Sequence, residues 1–305
     1  MEVYRIHMGK AKCAVDLGDG SERGEYVSQD YILAKMGRPH RSISLMYCYY
    51  PLDKGWPGRA SVVHASPDVS FAWDYPYDDY FTYKGGLGGN TDGEPFNYMR
   101  EIRQHGQDVS LTLTIDPHVS DEHLAAIGED LKPFGRVFLR INHEATGNWF
   151  SFNKRCTYQE VADFFVRASR IIKEHAPNVQ TIICIGGIED LSKEEMEKET
   201  EFAQTIPAAD IWSVDKYMAL HWGWPYDVAE HGGTTHSRGT VADTYEKTKR
   251  SFERFRYLNG GVAKPMTMAE FNADMCLFLE QWEDERSELR AYNSTQAAYK
   301  RWKEQ

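Results

Sequence analysis

Two glutamates of this sequence follow apolar, β-rich segments. Glu144 follows 136–142, "RVFLRIN", with His143 between them, and Glu270 stands in the last residues of 264–271, "KPMTMAEF". Two carboxyl groups that converge in a cleft can hydrolyse a glycosidic bond, one as proton donor and the other as nucleophile or base. One strand-end glutamate alone is more often a surface ion-pair partner. The chemistry therefore depends on a fold that brings both residues to one place.

The surrounding sequence alternates between strand-like and helix-like patterns. Apolar, β-rich runs predict strands at 41–50, 108–118, 136–142, 179–187, 209–218 and 264–271, with another expected within 2–18. Helical periodicity predicts helices at 96–106, 120–135, 157–177, 191–204 and 241–261. Such alternation indicates right-handed βαβ units and a parallel sheet. A doubly wound sheet and an eight-fold barrel both fit, and both carry functional residues at the C-terminal ends of strands.

Capping residues support the helix boundaries. Ser120 is a plausible N-cap, and Thr157 followed by Glu160 has the pattern of a capping box. Pro177 closes the helix that Thr157 opens, and Gly260–Gly261 stops the last helix. These signals make the helices of the βαβ units more certain than their periodicity alone would.

The segment around Glu144 resembles a known catalytic motif. "RINHEATGNWF" (140–150) is similar to the acid/base motif of glycoside hydrolase family 26, the β-mannanase family, in which an Arg-containing strand runs into His-Glu, a turn and a Trp. "KPMTMAEFN" (264–272) resembles the nucleophile strand of that family, and "DIWSVDKYM" (210–218) resembles the strand before it. The resemblance implies a (β/α)8 TIM barrel, catalytic glutamates on strands four and seven, and net retention of configuration.

The same resemblance implies roles for five residues. Glu144 would be the acid/base and Glu270 the nucleophile. Tyr217 would hydrogen-bond the nucleophile, and His143 and Trp149 would contact the sugar.

Three further residues are candidates for substrate binding. His118 follows "LTIDP" at a predicted strand end, where it binds sugar or caps the strand. Trp73 and Trp222 lie in two long connections, 51–95 and 219–240, which are rich in aromatic residues. Long loops in a compact domain are usually functional or disordered. Each Trp either stacks on a sugar ring or packs into the protein.

Composition and charge exclude several kinds of partner. The formal charge of −11 disfavours nucleic acid and anionic membranes, and no apolar run is long enough for a membrane helix. The five cysteines form no CxxC pair, so we expect neither a disulfide framework nor a cysteine-based zinc site. The first residues lack a signal-peptide layout, which predicts either a cytoplasmic protein or a secreted one whose leader has been removed. We expect no cofactor, no metal and a monomer.

Our hypothesis is one (β/α)8 catalytic domain over 1–305, with a complete or an abbreviated C-terminal βα unit. It would be a retaining endo-glycosidase on a neutral β-linked polysaccharide or its oligosaccharides, β-1,4-mannan first. The same machinery acting on β-1,3-xylan or mixed-linkage β-glucan is one alternative. A non-catalytic carbohydrate-binding barrel is the other.

Overall fold

The computed structural model describes Ala34, Gly37 and residues 41–53, 81–147, 151–186, 200–218 and 241–273. Its strands are β1 (Ser42–Tyr49), β2 (Phe81–Thr82), β3 (Asp108–Ile115), β4 (Val137–Ile141), β5 (Val179–Cys184), β6 (Ile211–Met218) and β7 (Met266–Ala273). Its α-helices are α1 (Phe96–Gln104), α2 (Asp121–Leu131), α3 (Ser151–Arg155), α4 (Tyr158–His175), α5 (Thr205–Ala208) and α6 (Val241–Leu258). A 3-10 helix, Lys132–Phe134, follows α2.

The chain divides into two compact units. The first runs to Ile183 and includes Ala208–Asp210, and the second comprises Cys184–Pro207 and the residues from Ile211 onward. In the first unit the strands pair in the order β2-β1-β3-β4-β5, and every pair is parallel. In the second unit β6 and β7 are parallel. The predicted α/β class with parallel strands is therefore confirmed, while the eight-stranded barrel and the single domain over 1–305 stay predictions.

The core of the first unit surrounds β3. Val109, Leu111 and Leu113 are fully buried on one face of this strand, and Thr112 and Thr114 are at most 1% exposed on the other. Burial on both faces is typical of parallel sheets, whose crossover helices cover both sides. The strand itself therefore exposes little to solvent, and the exposed side chain of His118 lies beyond its C-terminal end.

Helices α2 and α4 pack closely against each other. A Cβ atom on Gly128 of α2 would lie 2.9 Å from the carbonyl oxygen of Ile172, so only glycine permits this approach. Helix α4 begins with the predicted capping box, in which Thr157 and Glu160 each accept a backbone hydrogen bond from the other. Its buried residues recur at helical spacing: Val161, Ala162, Phe164, Phe165, Ala168, Ser169, Ile171 and Ile172.

The second unit has its own apolar core. Trp212 of β6 is fully buried, and its indole N–H donates to the Ile206 carbonyl at 3.0 Å. The rings of Phe252 and Phe255 on α6 meet the Trp212 ring edge-on, with centroids 5.9 and 5.7 Å away. This packing fixes α6 against the strand that carries Asp215 and Tyr217.

Several element ends differ from the sequence prediction. The predicted strand 108–118 stops at Ile115, because the chain turns at Asp116, whose carbonyl accepts from the Val119 N–H at 3.2 Å. The predicted helix 191–204 is wrong over 200–204, where residues 201–204 form turns, and its earlier residues lie outside the described part of the chain. The strand expected within 2–18 also lies outside it. The short elements β2, α3 and α5 were not predicted.

Candidate active site

The chain leaves β4 in a rare backbone conformation. Asn142 has φ of +47° and Glu144 has φ of +48°. Asparagine adopts this left-handed region fairly readily, whereas a glutamate there is uncommon. The Gly147 N–H donates to the Glu144 carbonyl at 2.8 Å and closes the turn. Non-glycine residues held in this region concentrate at functional sites, so the backbone marks Glu144 independently of its residue type.

Asn142 ties the end of β4 to the end of β3. Its side-chain Oδ1 accepts from the Ile115 N–H at 2.6 Å, and its Nδ2 donates to the Ile115 carbonyl at 3.0 Å. Asn142 is 2% exposed, so water does not compete for these bonds. The residue before His143 is thus fixed by backbone and side chain together.

His143 and Glu144 differ in exposure. His143 is buried, at 2% exposure, whereas Glu144 is half-buried and therefore accessible to a ligand from solvent. Two residues before Asn142, Arg140 is also buried, and its Nε donates to the Thr112 hydroxyl at 2.7 Å. The end of β4 therefore holds a partly accessible carboxyl group on a backbone that is fixed beneath it.

An ion network joins the ends of β1 and β3. Arg155, the last residue of α3, contacts the carboxylate of Asp53 at 2.7 Å and that of Asp116 at 3.5 Å. Its guanidinium lies 4.7 Å from the centroid of the Tyr50 ring. Asp53 and Arg155 are 102 residues apart, so no local pattern pointed to this network.

His118 lies beside this network at the end of β3. Its Nδ1 contacts Asp116 Oδ1 at 3.0 Å, and the same oxygen accepts from the backbone N–H of His118. The side chain is 57% exposed. Contact with sugar stays a prediction for His118, and its ring is both accessible and held in a fixed orientation by Asp116.

In the second unit, Glu270 lies next to Asp215. The two residues pair in register across β6 and β7, beside a β-bulge between Val214 and Asp215. Asp215 also accepts a hydrogen bond from the thiol of Cys184 at 3.2 Å. The position expected for Glu270 needs correction: β7 continues to Ala273, so Glu270 lies inside the strand, because pairing with β6 extends that far.

The remaining candidates are only partly covered by the structure. Tyr217 lies in β6, in register with Asn272. The side chains of Tyr217 and Glu270, and the whole of Trp73, Trp149 and Trp222, lie outside what the structure describes. Their roles stay predictions. No helix of the described residues is long and apolar enough to span a membrane.

The sequence matches no protein-family model and no curated protein. Among solved structures, the mannanase man26 of Bacillus subtilis is 13% identical with a TM-score of 0.42, over 82% of this chain and 69% of that one. A family 51 α-L-arabinofuranosidase from Bifidobacterium longum is 12% identical with a TM-score of 0.41, over 63% of this chain. The match spans 40% of the arabinofuranosidase, less than half its length.

A third similar structure is the GH53 catalytic domain of Ignisphaera aggregans, 11% identical with a TM-score of 0.37, over 85% of this chain and 83% of that one. These are distant likenesses to glycosidase folds. None of them fixes an activity or a substrate for this chain.

Proposed function

We propose that this chain is a retaining endo-glycosidase of the (β/α)8 class that cleaves β-1,4-mannan. Glu144 is the acid/base and Glu270 the nucleophile. The observation that carries the proposal is the position of Glu144: three residues past the end of the buried parallel strand β4, at φ of +48°, and one residue beyond the buried His143. The resemblance of "RINHEATGNWF" to the family 26 acid/base motif supports the same assignment.

The contacts of Asn142 suit a proton donor at Glu144. Proton transfer requires the carboxyl group to stay within hydrogen-bond reach of the leaving oxygen, at about 2.6–3.2 Å. A donor on a freely moving loop would leave that range often. The two hydrogen bonds between the Asn142 side chain and the Ile115 backbone hold the chain two residues before Glu144. The hydrogen bond from the Gly147 N–H to the Glu144 carbonyl holds the chain on the other side of Glu144.

In the proposed mechanism, hydrolysis proceeds in two displacements. The Glu270 carboxylate attacks the anomeric carbon while Glu144 donates its proton to the departing glycosidic oxygen. A glycosyl-enzyme ester forms on Glu270. Water then attacks the anomeric carbon, Glu144 takes its proton, and the Glu270 carboxylate is released. This mechanism requires the two carboxyl groups to lie about 5–5.5 Å apart, whereas roughly 6.5 Å or more would indicate inversion.

The other candidate residues would position the substrate. We propose that Tyr217 hydrogen-bonds Glu270, that Trp149 contacts the sugar next to the scissile bond, and that Trp73 and Trp222 stack on more distant sugars. His143 is buried, so for it we propose a restraint on its neighbour Glu144 in place of the predicted sugar contact. The formal charge of −11 favours a neutral polymer over a polyanion, because like charges repel.

Release of reducing sugar from a panel of β-1,4-mannan, β-1,3-xylan and mixed-linkage β-glucan tests the proposal. The wild type should release sugar from mannan, and Glu144→Gln and Glu270→Gln should each abolish it. Glu129→Gln is the matched control, since Glu129 lies on α2 and is paired with His175. Cleavage of another polymer alone would correct the substrate. Binding without cleavage of any polymer would replace the enzyme with a carbohydrate-binding protein.

A further inference from the structure

A thiol and an imidazole meet at the end of β3, within the first unit. Cys156 Sγ lies 3.8 Å from His118 Nε2. The other ring nitrogen, Nδ1, is 3.0 Å from Asp116 Oδ1 and donates its proton to that carboxylate. In the neutral ring Nε2 then carries the lone pair, and it is this nitrogen that contacts the sulfur. The His118 side chain is 57% exposed and Cys156 is half-buried, so a solute can reach both atoms.

Cys156 contacts His118, and His118 contacts Asp116, an arrangement that suggests nucleophilic catalysis by the cysteine. The charges around Cys156 oppose that role. Burial raises the pKa of Cys156 to about 11, and the carboxylates of Glu160 and Asp116 act in the same direction, against the guanidinium of Arg155. A catalytic thiol needs a lowered pKa, because the thiolate is the nucleophile. This thiol stays protonated at neutral pH and is a poor nucleophile.

We propose that Cys156 and His118 form a binding site for a soft divalent cation, Zn²⁺ or Cd²⁺. In a tetrahedral zinc site with Zn–S of about 2.3 Å and Zn–N of about 2.0–2.1 Å, the two ligand atoms lie roughly 3.6 Å apart. The observed 3.8 Å needs only a small adjustment. The cation replaces the thiol proton: the S–H bond breaks, the proton leaves to water, and the sulfur binds the metal.

The surroundings of the two ligands favour a cation. Asp116 accepts from Nδ1–H, which is how carboxylates orient metal-bound histidines and raise their basicity. Asp116 and Glu160 also place negative charge near the sulfur. Glu160 Oε2 accepts from the Thr157 backbone N–H and hydroxyl, so it is occupied by the helix cap. The remaining coordination positions are open to water.

The metal site is independent of the two carboxyl groups of the proposed glycosidase mechanism, although His118 is also a candidate for sugar contact. Its ligands are 38 residues apart in sequence and form no known spacing motif, so the sequence predicted no metal here. Failure of one proposal leaves the other untouched.

Titration with Cd²⁺ alone tests the site, because a cadmium–thiolate bond produces a charge-transfer absorption in the ultraviolet. The experiment uses the full chain with Cys13→Ser and Cys276→Ser, since the other described cysteines, Cys48 and Cys184, are buried. We expect one equivalent of Cd²⁺ to bind with this absorption. Cys156→Ser should lose the absorption, and His118→Gln should weaken binding at least tenfold.

His175→Gln is the matched control. His175 is a partly exposed histidine whose Nδ1 also contacts a carboxylate, Glu129 at 3.0 Å, and none of the described cysteines hydrogen-bonds it. It should bind Cd²⁺ as the parent does. An absorption that persists in Cys156→Ser, or equal affinities of His118→Gln and His175→Gln, would overturn the proposal.

A second measurement needs no change at either ligand. At mildly alkaline pH, where a fraction of the Cys156 thiol ionises, Zn²⁺ should slow its alkylation by iodoacetamide in the native protein at least tenfold, as followed by mass spectrometry of the Cys156 peptide. Equal alkylation rates with and without Zn²⁺ would show that no metal occupies the thiol.

Discussion

The geometry around Glu144 depends first on Asn142. Replacing Asn142 with alanine leaves the Ile115 N–H and carbonyl without their side-chain partners in a buried place, which should cost about 2–4 kcal/mol of unfolding free energy. Urea denaturation measures this loss. Because the lost bonds hold the chain beside Glu144, kcat on mannan should fall even under conditions where the variant remains folded.

Asn142→Gly separates two contributions of the asparagine to stability, its tolerance of a positive φ and its two side-chain hydrogen bonds. Glycine accommodates φ of +47° without strain but makes no side-chain bond, so it should recover only about 1 kcal/mol relative to alanine. If glycine restored wild-type stability, the backbone conformation alone would matter and the two hydrogen bonds would be irrelevant.

At the scale of single residues, the sequence predicted only part of the candidate active site. Glu144 could be found because its neighbours in the chain form a recognisable local pattern, "RINHEATGNWF". Asn142 and Arg155 could not, because their partners Ile115 and Asp53 lie 27 and 102 residues away. A side-chain bond between distant positions leaves no periodic or local signal in one sequence.

At the scale of elements, the start of α4 gives a direct test of local capping. Thr157→Ala removes the hydroxyl that accepts from the Glu160 N–H, and should lower the free energy of unfolding by about 1 kcal/mol. Thr157→Ser keeps the hydroxyl and is the control, with an expected change of a few tenths of a kcal/mol at most. Equal losses in both variants would mean that the methyl group, and not the cap, matters.

The loop after β2 depends on a carboxylate of α2. Asp130 Oδ2 accepts from the Gly86 N–H at 2.6 Å and from the Tyr83 hydroxyl at 2.9 Å. Asp130→Ala leaves both donors without this acceptor and should cost about 1–3 kcal/mol of unfolding free energy in urea. Asp130→Asn keeps a carbonyl oxygen for the same two bonds and should lose far less.

The pH dependence of the unfolding free energy, compared between the wild type and Asp130→Asn, reports the charge of Asp130. Burial raises the pKa of Asp130, against the hydrogen bonds from Gly86 and Tyr83, so the folded state holds this proton more tightly than the unfolded state. The wild type should therefore lose stability relative to Asp130→Asn as the pH rises from about 3.9 through the raised folded value. Urea denaturation across this pH range measures the difference in unfolding free energy between the two proteins. A difference that stays constant with pH would show that burial does not destabilise the ionised carboxylate.

Elements with strong local signals could be predicted, and those defined by a partner could not. Helix α4 has a capping box and a closing proline, and its observed bounds agree with them. The two residues of β2 are a strand only because they pair with Tyr47 and Cys48. In the same way, β7 runs past its predicted end at 271 because β6 continues beside it to Met218. The ends of strands are set by pairing, which a single sequence does not display.

At the scale of the whole molecule, alternating strands and helices were enough to predict parallel pairing, which each unit confirms. Closure into an eight-stranded barrel depends on residues outside the described ranges and stays a proposal. The proposed catalytic pair belongs to this scale too, since Glu144 follows β4 and Glu270 lies in β7, far apart in the sequence. Their roles can be separated by chemistry without measuring the distance between them.

An activated aryl β-mannoside, whose leaving group departs without a proton, makes the two glutamates distinguishable. Glu144→Ala should still form the glycosyl-enzyme on Glu270 but stall at its hydrolysis, with turnover lowered about 10²–10⁴-fold, because no base activates the water. Azide is a nucleophile that needs no base, so it should restore turnover and give a product of retained configuration. Glu270→Ala should lose activity on the same substrate, since no covalent intermediate can form. Rescue of Glu144→Ala to an inverted product, or near-normal activity of Glu270→Ala, would contradict the assignment of the acid/base to Glu144 and of the nucleophile to Glu270.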